Sequence, residues 1–160
     1  MSTNYWMLVS TIDNFRKSKE MGFAVQGVKS RHRSKAEKMR PGDRILYYVT
    51  GVQAFAGTAT ITSTYWEERT PVWVSEKQGE VYPWRFKIRP DVVLDEREFL
   101  SAVEWAPKLA YVRKWPQEHW RLAFQGNVHL IPGEDFARLE AAMRQAAKQP
   151  ALQKGEDSRA

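Results

Sequence analysis

Apolar and polar positions divide this chain into short runs, and the densest, Ile45–Val49, follows a turn signature. Pro41-Gly42-Asp43 combines a preset φ, a residue at ease with positive φ, and a side chain that bonds its own backbone. Ile45-Leu46-Tyr47-Tyr48-Val49 has no polar break and predicts a buried strand. After Thr50-Gly51, Phe55–Ser63 alternates, with Thr58, Thr60 and Thr62 on one face and Ala59 and Ile61 on the other. Together they predict an antiparallel pair at the centre of a small barrel. Gly57 there marks a close approach of backbone or ligand, or a β-bulge.

The other runs are assigned in the same way. Tyr5–Ser10 reads as a first buried strand, and Ser10 or Thr11 caps a helix from Ile12 to Met21 that Gly22 ends. Phe23-Ala24-Val25 reads as extended, Gln26–Arg33 as a loop, and Ser34-Lys35-Ala36-Glu37 as a capping box opening a second helix. Thr64–Val81 is a polar connection containing Trp66 and Trp73, and loops this long are usually functional or mobile. Tyr82–Pro90 alternates again, with Tyr82, Trp84, Phe86 and Ile88 on one face and Arg85, Lys87 and Arg89 on a basic outer face. Asp95 can cap a short helix carrying Phe99, Leu100 and Val103, whereas Glu104–Leu122, with Trp105, Trp115 and Trp120, has no usable period. Phe124-Gln125-Gly126-Asn127 is a turn, Val128–Ile131 a strand, and Pro132-Gly133 opens a helix with Phe136, Leu139 and Met143 on one stripe. The domain is expected over residues 1–145, with 146–160 a disordered tail.

Charge sharpens this picture. The net charge is +6, and the segment from Lys29 to Arg40 carries most of it: Lys29, Arg31, Arg33, Lys35, Lys38 and Arg40 against Glu37. Such a strip is the footprint expected for a nucleic-acid backbone, or a solvated loop that keeps the chain soluble. Seven Trp, six Tyr and seven Phe leave aromatics to spare for stacking on bases. No run is long and apolar enough for a membrane span, and no signal peptide is visible. Zero cysteines and three histidines argue against disulfides and structural zinc and suit a cytoplasmic location. The chain lacks a P-loop, a G-x-S-x-G elbow and an HExxH motif, so nothing asks for catalysis. His32, between Arg31 and Arg33, should have a lowered pKa that favours neutral hydrogen bonding, or be an exposed loop histidine.

In order, YWMLVS, the FAV and KMRPGDRILYYV blocks, FAGTATITS, YPWRFKIRP and FQGNVHLIPGEDFARLE resemble an EVE domain. That family belongs to the PUA-like superfamily, which includes the YTH readers. The resemblance implies an α+β fold, a PUA-like mixed β pseudo-barrel flanked by short helices, with no cofactor and no metal. It implies a nucleic-acid partner, DNA or RNA, and a modified base flipped into an aromatic-walled pocket. Carried onto this chain, the pocket comprises Ser10 and Thr11 with Asn14 behind, Phe23 and Val25, His32, Tyr82 and Pro83, and Phe124 and Gln125. Lys29, Arg31, Arg33 and Lys35 would meet phosphate. At Phe23-Ala24-Val25 relatives often carry Trp-Gly-Val, so this chain departs from the pattern there. Two alternatives stay open: a small hydrolase acting on a nucleotide or small molecule, and a protein-interaction module. DNA or RNA, the modification and the oligomeric state are left open too.

Overall fold

The computed structural model describes residues 2–159, with side chains described for residues 2–147. In chain order the elements are β1 (Tyr5–Ser10), α1 (Ile12–Glu20), β2 (Val25–Val28), α2 (Arg33–Lys38), β3 (Arg44–Val49) and β4 (Ala54–Ile61). Then come β5 (Trp66–Glu67), β6 (Trp84–Val93), β7 (Leu100–Ser101), α3 (Ala102–Trp105), β8 (Val128–Ile131) and α4 (Gly133–Arg159). The strands make one curled, mixed sheet in the order β2-β6-β4-β3-β1-β8, with β5 on β6 and β7 on β4. β3 and β4 lie at its centre, as the hairpin pattern predicts.

β1 and β3 read as unbroken apolar runs because both faces of the sheet are covered. Trp6, Leu8, Ile45, Tyr47 and Val49 enter one core with Phe15 and Phe86, while Met7, Val9, Leu46 and Tyr48 enter a second with Phe136 and Leu139. β1 runs parallel to β3, Tyr5 opposite Arg44. The turn before β3 sets that register. The buried Asp43 carboxylate accepts the Asn4 N–H (3.1 Å), the Trp6 indole N–H (3.0 Å) and the Arg40 N–H (3.1 Å), joining the start of β1 to the start of β3. Gly42, at φ +94°, makes the turn possible.

Gly57 combines both of its expected roles. A β-carbon there would lie 2.4 Å from the Val92 carbonyl oxygen, and the β3–β4 register slips beside it, between Tyr47 and Tyr48. Thr11 is the α1 cap, its hydroxyl accepting the Asn14 N–H at 3.1 Å. Gly22 ends the helix at φ +70°.

Five local expectations are corrected. Phe23 is not extended but left-handed at φ +51°, which turns its ring inward against Phe15 and Tyr47. The basic segment is not a loop: β2 runs to Val28, and a 3-10 turn over Ser30–His32 leads directly into α2. That turn places Ser34 inside the helix, so no capping box forms, and Glu37 pairs instead with Arg33 at 3.5 Å. Arg85 is 4% exposed rather than on an outer face, because the preceding connection folds over it. After Asp95, whose carboxylate accepts the Arg97 N–H, the helix is a single 3-10 turn, and Leu100 lies on β7. The tail expected over 146–160 falls, from residue 148, outside the described side chains.

Candidate functional site

β1 and β3 end side by side, the Thr50 N–H donating to the Ser10 carbonyl at 2.8 Å. Beyond their ends opens a cleft of about 280 Å³, lined by Ser10, Thr11, Lys29, Thr50, Val74–Lys77, Tyr82 and Phe124–Gly126. Its volume falls just below the usual range for ligand clefts.

One wall comes from the long connection before β6, and three side chains hold it. Asn14, buried on α1, accepts the Val74 N–H at 2.9 Å and donates to the Val74 carbonyl at 2.8 Å. The same amide reaches the Tyr82 hydroxyl at 3.4 Å. Trp73 is buried and donates its indole N–H to Ser18 Oγ at 2.9 Å. It packs where a β-carbon on Gly27 would intrude at 2.6 Å. Arg85, beneath, donates to the Tyr82 carbonyl (3.1 Å), to Glu68 (3.1 Å) and to the Thr70 carbonyl. A long connection is thereby given a fixed course by polar bonds rather than by its own secondary structure.

The opposite side is fixed by Asn127. Its side chain accepts the Lys29 N–H at 2.9 Å and donates to the Val9 carbonyl at 3.3 Å, while its own carbonyl accepts the Val9 N–H at 2.7 Å. Lys29 is thus held at the rim, its ammonium 5.9 Å from the centre of the Tyr82 ring. Burial pushes the Tyr82 phenol up to about 12, so the ring is neutral at physiological pH. Phe124 stacks on Tyr48 at 4.4 Å and presents one edge of a buried aromatic cluster to the cleft.

Of the residues the sequence nominated for a pocket, the structure brings Ser10, Thr11, Tyr82, Phe124 and Gln125 to this cleft, with Asn14 as the bracket behind its wall. Four are elsewhere. Phe23 is 4% exposed in the core, Val25 lies on β2 opposite Lys87, and Pro83 is buried where the chain enters β6. His32 stands outside, accepting the Arg31 Nε–H at 3.2 Å. Burial first, and then Lys35, Arg31, His129 and Lys29, lower its pKa to about 4, so it is neutral at pH 7.

The cations nominated for phosphate are already engaged. Lys29 and Arg31 approach the Glu80 carboxylate at 3.4 and 3.5 Å, and Arg33 approaches Glu37 at 3.5 Å. The Lys35 ammonium donates to the Val128 carbonyl at 2.7 Å, and burial lowers its pKa. Ser75, Lys29 and Arg31 together hold the Glu80 carboxyl below its ordinary pKa despite its burial. Thr50, Val74, Glu80 and Gly126 were not nominated. Only the length of the Thr64–Val81 connection marked that region, and length does not say which residues turn inward. Among the described residues, no group of His, Cys, Asp and Glu could hold a metal ion, and no helix is long and apolar enough to cross a membrane.

The curled mixed sheet with flanking helices is a PUA-like α+β fold. A family model for the EVE domain matches residues 4–142, and the chain belongs to that family. It is 28% identical over 149 residues to a UPF0310 protein of Pyrococcus abyssi, an alignment covering 88% of this chain and 99% of that one. A UPF0310 protein of Pyrococcus horikoshii is 23% identical over 147 residues, covering 85% and 96%. The solved Mmi1 YTH domain in complex with RNA superposes with a TM-score of 0.65 at 10% identity, over 90% of this chain and 79% of that one. The YTH domain of the Zygosaccharomyces rouxii MRB1 protein, in complex with N6-methyladenosine RNA, gives 0.57 at 16% identity, over 86% and 84%.

Proposed function

We propose that this protein is a non-enzymatic reader of nucleic acid and that the cleft beyond β1 and β3 receives one modified base taken out of its stack. The observation that carries this reading is the lining of the cleft. Tyr82 and Phe124 supply aromatic surface, and Ser10, Thr11 and Gln125 supply polar groups for a base edge. Lys29 at the rim supplies a cation for the adjoining phosphate, which must take it over from Glu80. Two YTH neighbours of the same fold were solved with RNA, one of them with N6-methyladenosine RNA, which supports the same reading.

The two hydroxyls at the end of β1 favour binding over catalysis. Ser10 donates to the Thr11 carbonyl at 2.9 Å, and Thr11 accepts a backbone N–H as a helix cap. Among the described residues, neither hydroxyl is hydrogen-bonded to a base that would activate it. The test is a fluorescence-anisotropy titration of short DNA and RNA oligomers, each plain or methylated on one base. The wild type should prefer one modified oligomer, and Tyr82→Ala should lower that affinity at least about tenfold while sparing plain oligomers. Equal loss on modified and plain oligomers would remove the base pocket from the account.

A further inference from the structure

A second cleft, of about 590 Å³, opens in the segment between β7 and β8. Its floor is Ala106 and Val112, both buried, and its walls include Trp115, Trp120, Arg113 and the exposed Val103. The tryptophans divide into two groups. The indole N–H groups of Trp6, Trp66, Trp73 and Trp84 are all bonded within the fold, to Asp43, Glu68, Ser18 and the Ser30 carbonyl. Those of Trp105, Trp115 and Trp120 have no protein acceptor among the described residues. A half-buried indole whose N–H is left to solvent has its apolar face and its donor both available to a ligand.

The charges here are arranged differently from those of the basic strip. Lys108 lies 4.9 Å from the Trp105 ring centre, Lys114 5.2 Å from Tyr111, and Arg121 4.5 Å from Trp120. Among the described residues, none of these three, nor Arg113, is in an ion pair. Cations that flank aromatic rings without acidic partners complement a chain that alternates bases with phosphates. An acidic peptide would match the charge but would leave the indole faces without a flat partner.

One ring contact links the linings of the two clefts. The 3-10 segment Gln117–Phe124 places Trp120 in the second and Phe124 in the first, with ring centres 5.9 Å apart. We infer that the Trp115–Trp120 cleft is a second nucleotide subsite, where an unpaired base beside the one in the first cleft stacks on indole and Arg113 and Arg121 meet its phosphates. This inference rests on the reading of the first cleft as a base pocket.

The test compares a trinucleotide carrying the preferred modified base with a nonanucleotide that extends it on both sides, by fluorescence anisotropy. The wild type should bind the longer oligomer about tenfold or more tightly. Trp115→Ala should abolish that gain and leave trinucleotide affinity unchanged. Arg113→Ala, on an exposed side chain, should lower the salt slope on the nonanucleotide by about 0.7 and not on the trinucleotide. If Trp115→Ala does not fold, 5-bromouridine placed on each flank should photocrosslink the wild type within residues 113–121. Trinucleotide binding without gain from length, an unchanged slope in Arg113→Ala, or crosslinks only elsewhere would overturn the subsite and leave the first cleft standing. Failure of both oligomers to bind would overturn both.

Discussion

Replacing Asn14 with alanine isolates the bracket that holds the outer wall of the first cleft. Its amide makes two short hydrogen bonds to the Val74 backbone, at 2.8 and 2.9 Å, and a long one to the Tyr82 hydroxyl at 3.4 Å that adds little. Two neutral hydrogen bonds contribute about 2 kcal/mol between them. Val74 is 75% exposed, so its freed backbone groups can turn to water, and global stability should fall by only about 1 kcal/mol. The local effect should be larger. Native-state hydrogen exchange at the Val74 N–H, whose acceptor is Asn14 itself, should lose protection about 30-fold, close to the full 2 kcal/mol. Amides of β3 should lose only the global decrement. Val74→Ala, which keeps both backbone bonds, should leave that protection unchanged. If the Val74 amide in Asn14→Ala stays as protected as in the wild type, other contacts hold the wall and the bracket is not what shapes the cleft.

Two further outcomes follow from particular contacts. Gly57→Ala places a β-carbon 2.4 Å from the Val92 carbonyl oxygen on the neighbouring strand, and should destabilise by about 3 kcal/mol or more in urea; a loss below about 1 kcal/mol would mean that β4 and β6 separate freely. His32 has its pKa lowered to about 4, so between there and the ordinary value of 6.5 the unfolded chain binds a proton that the folded chain does not. Stability should therefore rise with pH across that window, and His32→Gln should flatten the rise in urea midpoints measured between about pH 4 and pH 7. An unchanged profile in the variant would show that other groups carry the pH dependence.

What the sequence made legible was local chemistry. The bounds of β1 and β8, the turn at Pro41-Gly42-Asp43, the Thr11 cap and the Gly22 stop all depend on residues within a few positions of one another. What it left obscure depends on distant partners. Phe23 adopts a positive φ because Phe15 and Tyr47 accept its ring, and a propensity reading has no access to that contact. Arg85 alternates with apolar residues like any outward position, yet Glu68 and Thr70 fold over it from an earlier connection. Residues 104–122 showed no period because they form a succession of short 3-10 turns anchored from elsewhere. The Asp135 carboxylate, for example, accepts the N–H groups of Ala110 and Tyr111 at 2.9 and 2.8 Å. At the site, the β1 end and the Tyr82 and Phe124 blocks were legible because a motif resemblance carries residue identities. The wall from Val74 to Lys77 was not, since no block of that resemblance falls there.

The basic strip shows how charge counted along a chain differs from charge offered to a ligand. From Lys29 to Arg40 the sequence presents one acid against six bases. In the fold, Glu80 arrives from the far side of the cleft to meet Lys29 and Arg31, Glu37 meets Arg33, and Lys35 donates to a carbonyl. A polyanion reaching Lys29 and Arg31 must displace Glu80, whose carboxyl is held below its ordinary pKa by Ser75 and by those same cations. The reverse holds between residues 104 and 122. Glu104 and Glu118 dilute Lys108, Arg113, Lys114 and Arg121 in any window of sequence, yet neither acid lies within ion-pair distance of them. Beside three indoles with no acceptor among the described residues, those cations have no acidic partner among those residues either. If phosphates are to be met on this protein without first breaking an internal pair, the face between β7 and β8 is better prepared for them than the strip that dominates the sequence.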